Sequence, residues 1–357
     1  MFEKFKARLC ARGDFQVYGE DYFDSFAPTA KFQSVRVIMS LAAGNRWKQR
    51  QADVDNAFLY GTLPDNEIIY MRPAQGFEQY CPETGELMVY RLRKSIYGLV
   101  QAAKVWNDML IKHLVDVQHF VPLESDASIL VKGSFPELII ISTLVDDIIA
   151  TSHSEEWLLD FEAKLEAAFD IKKLGLPQWY SGVNITYGPN SISLDQRAFA
   201  ESVIAKLDLQ DAYASKMPLQ HGTDLPQMCF EPDDSGLADV KEMQTMGGLY
   251  NWLGQITRPD FANASHQVSR GMLKATNTVA KTTRNVGRYL IGTKHYCLTY
   301  YADCAIPNEP IGMCDANHAG CTVTRRSQGG HGIWPNGGLV LWDVKLQLGL
   351  PAANPTE

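Results

Sequence analysis

The sequence predicts an α+β fold built on an antiparallel sheet. Three observations lead to this prediction. Apolar residues recur at helical spacing in some segments, two Ile-rich runs flank an Asp-Asp pair, and the elements follow the order helix, strand, helix, hairpin, helix. That order is typical of α+β proteins and differs from the regular alternation of parallel α/β folds. At 357 residues the chain is long enough for two or three units that each bury a core.

The first predicted helix covers residues 34–43. Gly44 is assigned to its C′ position, because Gly adopts the left-handed conformation that ends many helices. A strand is predicted from Arg50 to Val54, and apolar residues at helical spacing predict a core helix over 104–115. These elements give the first half of the predicted order.

Residues 138–149 predict a buried β-hairpin. Two Ile-rich runs flank Asp146 and Asp147, so the strands are apolar and both carboxylates fall at the tip. Ser152 and Glu155 have the spacing of a capping box, which predicts that the next helix begins there.

The second half of the chain is less regular. Residues 216–239 are rich in Pro, Asp, Gly, Gln and Met without periodicity, which predicts a linker or exposed loop. A helical stretch follows over 243–290, and from Pro310 the chain is Gly-rich with short strand-like runs. We therefore predict a domain boundary in the linker.

Composition and charge limit the classes of function. An apolar share of 45% beside 21% charged residues is that of a soluble globular protein. The longest apolar run falls short of the ~20 residues that cross a bilayer, and the N-terminus carries no signal-like segment. We expect no membrane association. Seven cysteines without a C-x-x-C pair favour neither a zinc site nor a disulfide framework.

The formal net charge of −8 argues against a surface that binds nucleic acid everywhere, because Lys and Arg supply most of the affinity for phosphates. Basic residues nevertheless cluster, as a positively lined cleft on an acidic body requires. The clusters are Lys4, Lys6, Arg8 and Arg12; Arg91, Arg93 and Lys94; and Lys281, Arg284 and Arg288. Taken alone, each is more simply explained as solvated surface charge.

Asp53, Asp146 and Asp147 are the candidate catalytic residues. An aspartate that ends one strand and a pair at a neighbouring hairpin turn can place hard oxygen ligands on rigid elements. Such an arrangement suits two Mg²⁺ ions ~4 Å apart in phosphoryl transfer. The alternative is that the pair occupies an ordinary tight turn, where Asp bonds to nearby backbone amides. The apolar flanks favour a metal site, since buried like charges are costly without a cation.

Short motifs follow one another in order along nearly the whole chain. They include Lys6-Ala7-Arg8-Leu9, Phe26-Ala27-Pro28-Thr29-Ala30-Lys31, Asp53-Val54-Asp55-Asn56-Ala57-Phe58, Tyr70-Met71-Arg72-Pro73, Lys94-Ser95-Ile96-Tyr97-Gly98-Leu99, Leu144-Val145-Asp146-Asp147 and Thr257-Arg258-Pro259-Asp260. Together they resemble the reverse transcriptase of copia-type (Pseudoviridae-like) retrotransposon Pol polyproteins. Asp315-Ala316 and Thr324-Arg325-Arg326-Ser327 resemble the start of the ribonuclease H domain that follows it in the family.

The resemblance implies a right-hand polymerase with fingers, palm and thumb around an antiparallel palm sheet, followed by a partial ribonuclease H-like α/β segment. It implies a reverse transcriptase domain over residues 1–215, with fingers incomplete at the N-terminus, the palm and the start of the thumb. A linker over 216–240, a connecting helical region over 241–306 and a truncated ribonuclease H-like segment over 307–357 would follow.

The resemblance also implies the activity of an RNA-directed DNA polymerase from a copia-type LTR retrotransposon. Deoxynucleotides would be transferred onto a primer 3′-hydroxyl with two Mg²⁺ (or Mn²⁺) ions. Asp53, Asp146 and Asp147 would hold these ions together with the backbone carbonyl of Val54. The implied partners are an RNA or DNA template-primer, deoxynucleoside triphosphates and other parts of a Gag-Pol polyprotein. The implied location is a cytoplasmic virus-like particle or the nucleus.

Five further residues have implied roles in substrate binding. Phe58 would lie beneath the sugar, where its ring excludes a 2′-hydroxyl. Lys6 and Arg8 would contact the triphosphate, and Tyr97 and Gly98 would lie against the incoming base pair. Without the resemblance, Phe58 would be taken for a plain core aromatic residue.

Several positions depart from the family pattern. Val100 stands where the family usually has Lys, Ala103 where it has Pro, and Leu144 where it has Tyr. Asp315 matches the first ribonuclease H acid, but the family's later acids lie beyond the end of this chain, so we expect a remnant without nuclease activity. The alternative function is therefore a decayed or host-retained remnant that binds nucleic acid without polymerising.

Overall fold

The computed structural model describes residues 7–349 except 221, 231, 232, 273 and 322. The chain divides into two compact units. The first comprises the described residues up to Lys31 together with Lys48–Pro177, and the second comprises Phe32–Trp47 and the described residues from Gln178 onward. No helix in the described part of the chain combines the length and apolarity needed to cross a bilayer.

The first unit is built on a six-stranded antiparallel sheet in the order β4-β5-β6-β7-β1-β8. Its strands are β1 (Lys48–Val54), β4 (Val121–Leu123), β5 (Asp126–Ser134), β6 (Glu137–Leu144), β7 (Asp147–Ser152) and β8 (Ile171–Gly175). A short ribbon pairs β2 (Tyr70–Met71) with β3 (Tyr90–Arg91), and the helices are α2 (Ala102–Lys112) and α3 (Glu155–Glu166). This mixture of helices and antiparallel strands confirms the α+β prediction.

One face of this sheet is covered by α2 and α3. The strands contribute small and β-branched side chains, and the helices contribute larger ones at helical spacing. The buried members are Ala52, Val54, Leu130, Ile139, Ile141, Ile148 and Ala150 from the sheet, with Trp106, Leu110, Leu158, Phe161 and Leu165 from the helices. This core fixes the ends of β1 and β7, where the candidate catalytic residues lie.

The second unit contains a four-stranded antiparallel sheet in the order β12-β11-β10-β9, a three-stranded sheet β13-β14-β15, and most of the helices. The strands are β9 (Trp179–Tyr180), β10 (Val183–Gly188), β11 (Ser191–Asp195), β12 (Cys297–Tyr301), β13 (Ile311–Ala316), β14 (Gln328–Trp334) and β15 (Leu341–Leu346). The helices are α1 (Phe32–Asn45), α4 (Arg197–Lys206), α5 (Leu225–Met228), α6 (Val240–Ile256), α7 (Ala262–Gly271), α8 (Asn277–Val286) and α9 (Arg288–Thr293). The segment assigned to 1–215 therefore contributes to both units. Compact units and family domain boundaries are different divisions of the chain, and the implied boundaries stay predictions.

The strand at 50–54 and the hairpin over 138–149 are confirmed by β1, β6 and β7. The predicted helix ends are wrong at two places. Gly44 lies inside α1, and Arg46 takes the left-handed conformation with φ 54°. Gly is needed at position 44 for packing, because a Cβ there would come 2.5 Å from the amide nitrogen of buried Asn336.

The capping prediction for α3 is also off by two residues. Ser154 is the N-cap, and its side chain accepts a hydrogen bond from the backbone N–H of Trp157. Ser152 instead uses its hydroxyl to accept from the backbone N–H of Ser154. The first turn carries Glu155 and Glu156, whose charges favour a helix N-terminus.

The linker prediction for 216–239 is wrong for the middle of the segment. Residues Leu225–Met228 form α5, and the Leu225 side chain is fully buried in the core of the second unit. Asp224 caps this helix by accepting from the backbone N–H of Gln227. A single turn that buries one leucine has too few apolar residues to show helical periodicity, so the sequence pattern does not reveal it.

We expect Leu225→Ala to lower the free energy of unfolding by about 2–5 kcal/mol, because it leaves a cavity in a packed core. Leu237→Ala is the matched control, since the Leu237 side chain in the same segment is 80% exposed. The control should change stability by less than about 0.5 kcal/mol. Urea unfolding of both variants tests this, and equal stabilities would show that the segment does behave as a linker.

Candidate active site

The pairing of β1 with β7 brings the candidate carboxylates together. Asp53, at the end of β1, is the direct cross-strand partner of Asp147, at the start of β7. Directly opposed residues of an antiparallel pair project from the same face of the sheet with Cβ atoms about 4.5–5.5 Å apart. Neighbouring Val54 points to the opposite face and is buried in the core. The strand alternation thus separates the acids from the apolar face.

Asp146 lies in the tight turn that joins β6 to β7. Leu144 pairs with Asp147, which leaves Val145 and Asp146 as the two central residues. Val145 has φ 58°, an uncommon conformation for a β-branched residue, although two-residue hairpins require positive φ at this position. Glycine would be the residue of least strain there, so the turn costs conformational energy.

Two hydrogen bonds from neighbouring elements hold this turn in place. The indole Nε1 of buried Trp106 donates to the Val145 carbonyl at 2.7 Å. The backbone N–H of Val54 donates to the Asp146 carbonyl at 2.9 Å. The turn is therefore anchored both to α2 and to the end of the strand that carries Asp53.

The carboxylates perturb one another. Partial burial, followed by repulsion from Asp146, raises the pKa of Asp53. Burial raises the pKa of Asp147 to about 6, and the charges of Asp53 and Asp146 act in the same direction. The Gln51 side chain opposes this shift by donating a 2.7 Å hydrogen bond to Asp147. All three acids therefore share one electrostatic environment.

The donor set suits a hard divalent cation, because every side chain in it offers carboxylate oxygens and none offers sulfur. Burial is the larger cause of these raised pKa values, and the repulsion between the acids that adds to it is the kind that a bound cation removes. Within the described residues, however, no three His, Cys, Asp or Glu side chains are arranged closely enough to hold one ion. The aspartates are thus neighbours whose side chains do not converge on a single point.

Three of the predicted substrate-binding residues contact one another in series. Phe58 lies in a 3₁₀ turn (Ala57–Leu59) that follows β1, and its half-buried ring meets Tyr97 edge-to-face with centroids 5.1 Å apart. The guanidinium of Arg8 lies over the same Tyr97 ring, 4.9 Å from its centroid, so Tyr97 contacts both Phe58 and Arg8. Lys6 lies outside the described residues.

Gly98 allows the chain to pass very close to the N-terminal segment. It has φ 90°, and a Cβ at this position would collide with the carbonyl of Ala11. The backbone N–H of Ala11 donates to the Tyr97 carbonyl at 2.7 Å. A glycine is therefore required here to hold the segment that carries Arg8 beside Tyr97.

Asp315 is in the second unit, on the exposed edge strand β13. Its carboxylate accepts a hydrogen bond from the backbone N–H of Ala316. It borders an open cleft of about 850 Å³, and the other carboxylate among the described lining residues is Asp224. The structure provides no dense group of acids around Asp315 within its described part.

Sequence reasoning missed Gln51 and Lys172. Gln51 precedes Asp53 by two residues in a strand, so strand alternation already predicts that it shares the Asp53 face. Lys172, on β8, pairs directly with Asp53. No local signal could identify Lys172, because it reaches Asp53 only through strand pairing across more than a hundred residues.

Comparison with known proteins gives consistent matches. Residues 2–221 match the family described as reverse transcriptase (RNA-dependent DNA polymerase). The chain is 32% identical over 352 residues to the Retrovirus-related Pol polyprotein from transposon TNT 1-94 of Nicotiana tabacum, covering 96% of this chain and 26% of that protein. It is 30% identical over 356 residues to the corresponding polyprotein from transposon RE2 of Arabidopsis thaliana, covering 97% and 23%. The chain thus spans about a quarter of the length of these relatives.

The raised pKa of Asp147 predicts how stability depends on pH. Its folded value of about 6 lies above the ordinary 3.8, so ionisation is less favourable in the folded state. Ionisation of Asp147 should therefore lower the free energy of unfolding. The decrease should be absent at acidic pH, grow between about pH 4 and 6, and reach its full size above pH 6. Asp147→Asn keeps an acceptor for Gln51 and removes the charge. We expect this variant to be more stable than the wild type by about 1–3 kcal/mol at pH 8 without divalent metal.

Urea unfolding at pH 4.5 and pH 8 in the presence of a chelator measures this difference. Asp116→Asn is the control, since Asp116 is an exposed carboxylate of the same unit. The control should show no such gain at pH 8. A wild type as stable as Asp147→Asn at pH 8 would contradict the prediction.

Proposed function

This chain belongs to the reverse transcriptase (RNA-dependent DNA polymerase) family, and we propose that it is an RNA-directed DNA polymerase with Asp53, Asp146 and Asp147 as its catalytic residues. The observation that carries this proposal is the direct pairing of Asp53 with Asp147 beside an anchored turn that presents Asp146. Three interacting carboxylates at adjacent strand ends suit phosphoryl transfer, where most of the catalysis is positioning and charge stabilisation.

Members of this family generally use divalent metal ions. We propose that Mg²⁺ or Mn²⁺ is held by Asp53, Asp146 and Asp147, with the Val54 carbonyl as a further oxygen donor. When bound, such ions would stabilise the attacking and leaving oxygens of the transfer. The protein's own contribution is orientation. Gln51 fixes one oxygen of Asp147, and the hydrogen bonds from Trp106 and Val54 hold the turn that carries Asp146.

A nucleotide site next to these acids is supported by the contacts that Tyr97 makes with Phe58 and Arg8. Phe58 follows Asp53 by five residues, and its half-buried side chain contacts Tyr97. We propose that this ring contacts the sugar and excludes a 2′-hydroxyl, while Tyr97 and Gly98 support the base pair. Arg8, with Lys6, would meet the triphosphate, since a guanidinium over an aromatic ring keeps donors free for phosphate oxygens.

We also propose how the elements of the chain correspond to the subdomains of a polymerase. The six-stranded sheet with α2 and α3 would be the palm, the N-terminal segment and the β2-β3 ribbon would belong to the fingers, and helices of the second unit would form thumb and connection. The relatives are Pol polyproteins of transposons. We propose that this chain acts within such a polyprotein on an RNA or DNA template-primer and deoxynucleoside triphosphates, and that the segment with Asp315 is ribonuclease H-like.

A second candidate is a non-catalytic remnant that still binds nucleic acid. Two observations favour it. The three aspartate side chains do not converge on one ion, and Leu144, beside the acids, stands where the family usually has Tyr. Both candidates share the fold and differ in activity, so one assay separates them.

Primer extension on an RNA template with Mg²⁺ is that assay. We expect the wild type to extend the primer and Asp53→Asn and Asp147→Asn each to lose at least about a hundredfold in rate, because each removes charge stabilisation used in the transition state. Asp116→Asn should extend normally. Extension that continues in excess chelator would refute the metal mechanism. A folded wild type that binds template-primer without extending it would favour the remnant.

Phe58→Ala should admit ribonucleotides. Removing the ring opens space for a 2′-hydroxyl, so the ratio of kcat/KM for a deoxynucleotide to that for the ribonucleotide should fall at least about tenfold. Deoxynucleotide use should change little. Phe58→Leu, which keeps part of the volume, should give a smaller fall and controls for loss of packing against Tyr97. If the ratio is unchanged in both variants while both fold, Phe58 is a core residue only.

A further inference from the structure

A lysine lies on the side of Asp53 opposite to Asp147. The sheet order is β7-β1-β8, so Asp53 has one neighbour on each flanking strand. On β8 that neighbour is Lys172, its direct cross-strand partner. The Lys172 ammonium is 3.7 Å from the Asp53 carboxylate and forms a closer ion pair with Asp55. Its side chain is 56% exposed.

This contact differs from the other ion pairs in the described part of the chain. Among the ion pairs of the described residues, the one between Lys172 and Asp53 involves a candidate catalytic aspartate. The adjacent Lys173 projects to the other face of β8 and pairs with Glu166 at 2.6 Å. Two consecutive lysines on one strand thus meet different acids, and only the first lies beside the site.

The charge of Lys172 acts on Asp53 against the repulsion from the other acids. Burial and the charge of Asp146 raise the pKa of Asp53, and the positive charge of Lys172 partly opposes them. The Lys172 ammonium lies 3.7 Å from the Asp53 carboxylate, so its positive charge offsets part of that repulsion. A cation is thus already present at the edge of a carboxylate cluster that would otherwise repel itself.

We propose that Lys172 is a built-in counter-ion shared between Asp55 and Asp53, and that a divalent metal bound at Asp53 leaves it paired with Asp55 alone. Asp55 can hold the ammonium by itself, because Lys172 already forms its closer ion pair with it. An ammonium is a compact point charge on a flexible stem, so it can exchange between two carboxylates. The inference rests on the proposed function in one respect, namely that Asp53 is a metal ligand.

The consequence is competition between the lysine and the metal. In the free protein Lys172 offsets part of the repulsion at Asp53, and a metal has to displace it. Removing the lysine should therefore tighten metal binding, although it leaves the metal-free site with more uncompensated negative charge. If Lys172 served only to attract phosphates, its removal would weaken binding of template-primer and leave metal binding unchanged.

The experiment is a titration of the full chain with MgCl₂ at constant ionic strength, with the thermal unfolding midpoint as the readout. We expect Lys172→Gln to lower the half-saturating Mg²⁺ concentration by about three- to tenfold, the scale of a weak, exposed ion pair. Lys172→Arg keeps the charge and should stay within about twofold of the wild type. Lys173→Gln, the matched control, should not change it.

Asp55→Asn gives an independent check in the opposite direction. Without Asp55 the lysine has only Asp53 as partner, so the half-saturating Mg²⁺ concentration should rise. The rise should be smaller when Lys172→Gln is already present, which a double-mutant cycle measures. If the half-saturating Mg²⁺ concentration rises by the same factor in both backgrounds, the proposal that Lys172 is shared between Asp53 and Asp55 is overturned.

The failure of this inference can be told from the failure of the proposed function. Asp53→Asn should abolish the response to Mg²⁺. If the wild type does not respond, or if Asp53→Asn responds like the wild type, the metal site and the counter-ion are both refuted. If the response depends on Asp53 but Lys172→Gln and the wild type have equal half-saturation, the counter-ion alone is refuted.

Discussion

The antiparallel pairing of β1 with β7 is the constraint on which the candidate site depends. It places Asp53 opposite Asp147 and, through the backbone bond from Val54 to Asp146, fixes the turn beside both. A slip of one residue in this register would send every side chain of β1 to the other face. Asp53 would then enter the apolar core, and Val54 would leave it. The packing of the core and the geometry of the acids therefore enforce one another.

The electrostatic interactions among the acids of the site destabilise the folded chain. Asp53 and Asp147 are partly buried close to one another, which raises the pKa of both. Such an arrangement destabilises the folded state at neutral pH, and the hydrophobic core beneath the sheet offsets it. The positive φ of Val145 adds backbone strain at the same place. Strain and repulsion concentrated at one turn are typical of sites that carry a function at the expense of stability.

Local rules accounted for much of the fold. The Ile-rich runs predicted β6, β7 and the turn with its two acids, and the spacing of apolar residues predicted α2. The same rules failed for α5, where one buried leucine in a polar segment carries the packing. They also misplaced the end of α1, because Gly44 serves close packing against Asn336 and not a left-handed cap. In both cases the deciding contact joins residues far apart in the chain.

The sequence by itself determined which residues could carry chemistry. The Ile-rich flanks of Asp146 and Asp147, together with Asp53 at the end of a predicted strand, already indicate the three acids, and the family resemblance adds Phe58. Only the tertiary structure decided that Asp53 lies between Asp147 and Lys172, and that Tyr97 joins Phe58 to Arg8. The reason is physical. Side-chain periodicity is set by local backbone geometry, whereas the identity of a cross-strand neighbour depends on how distant strands pair.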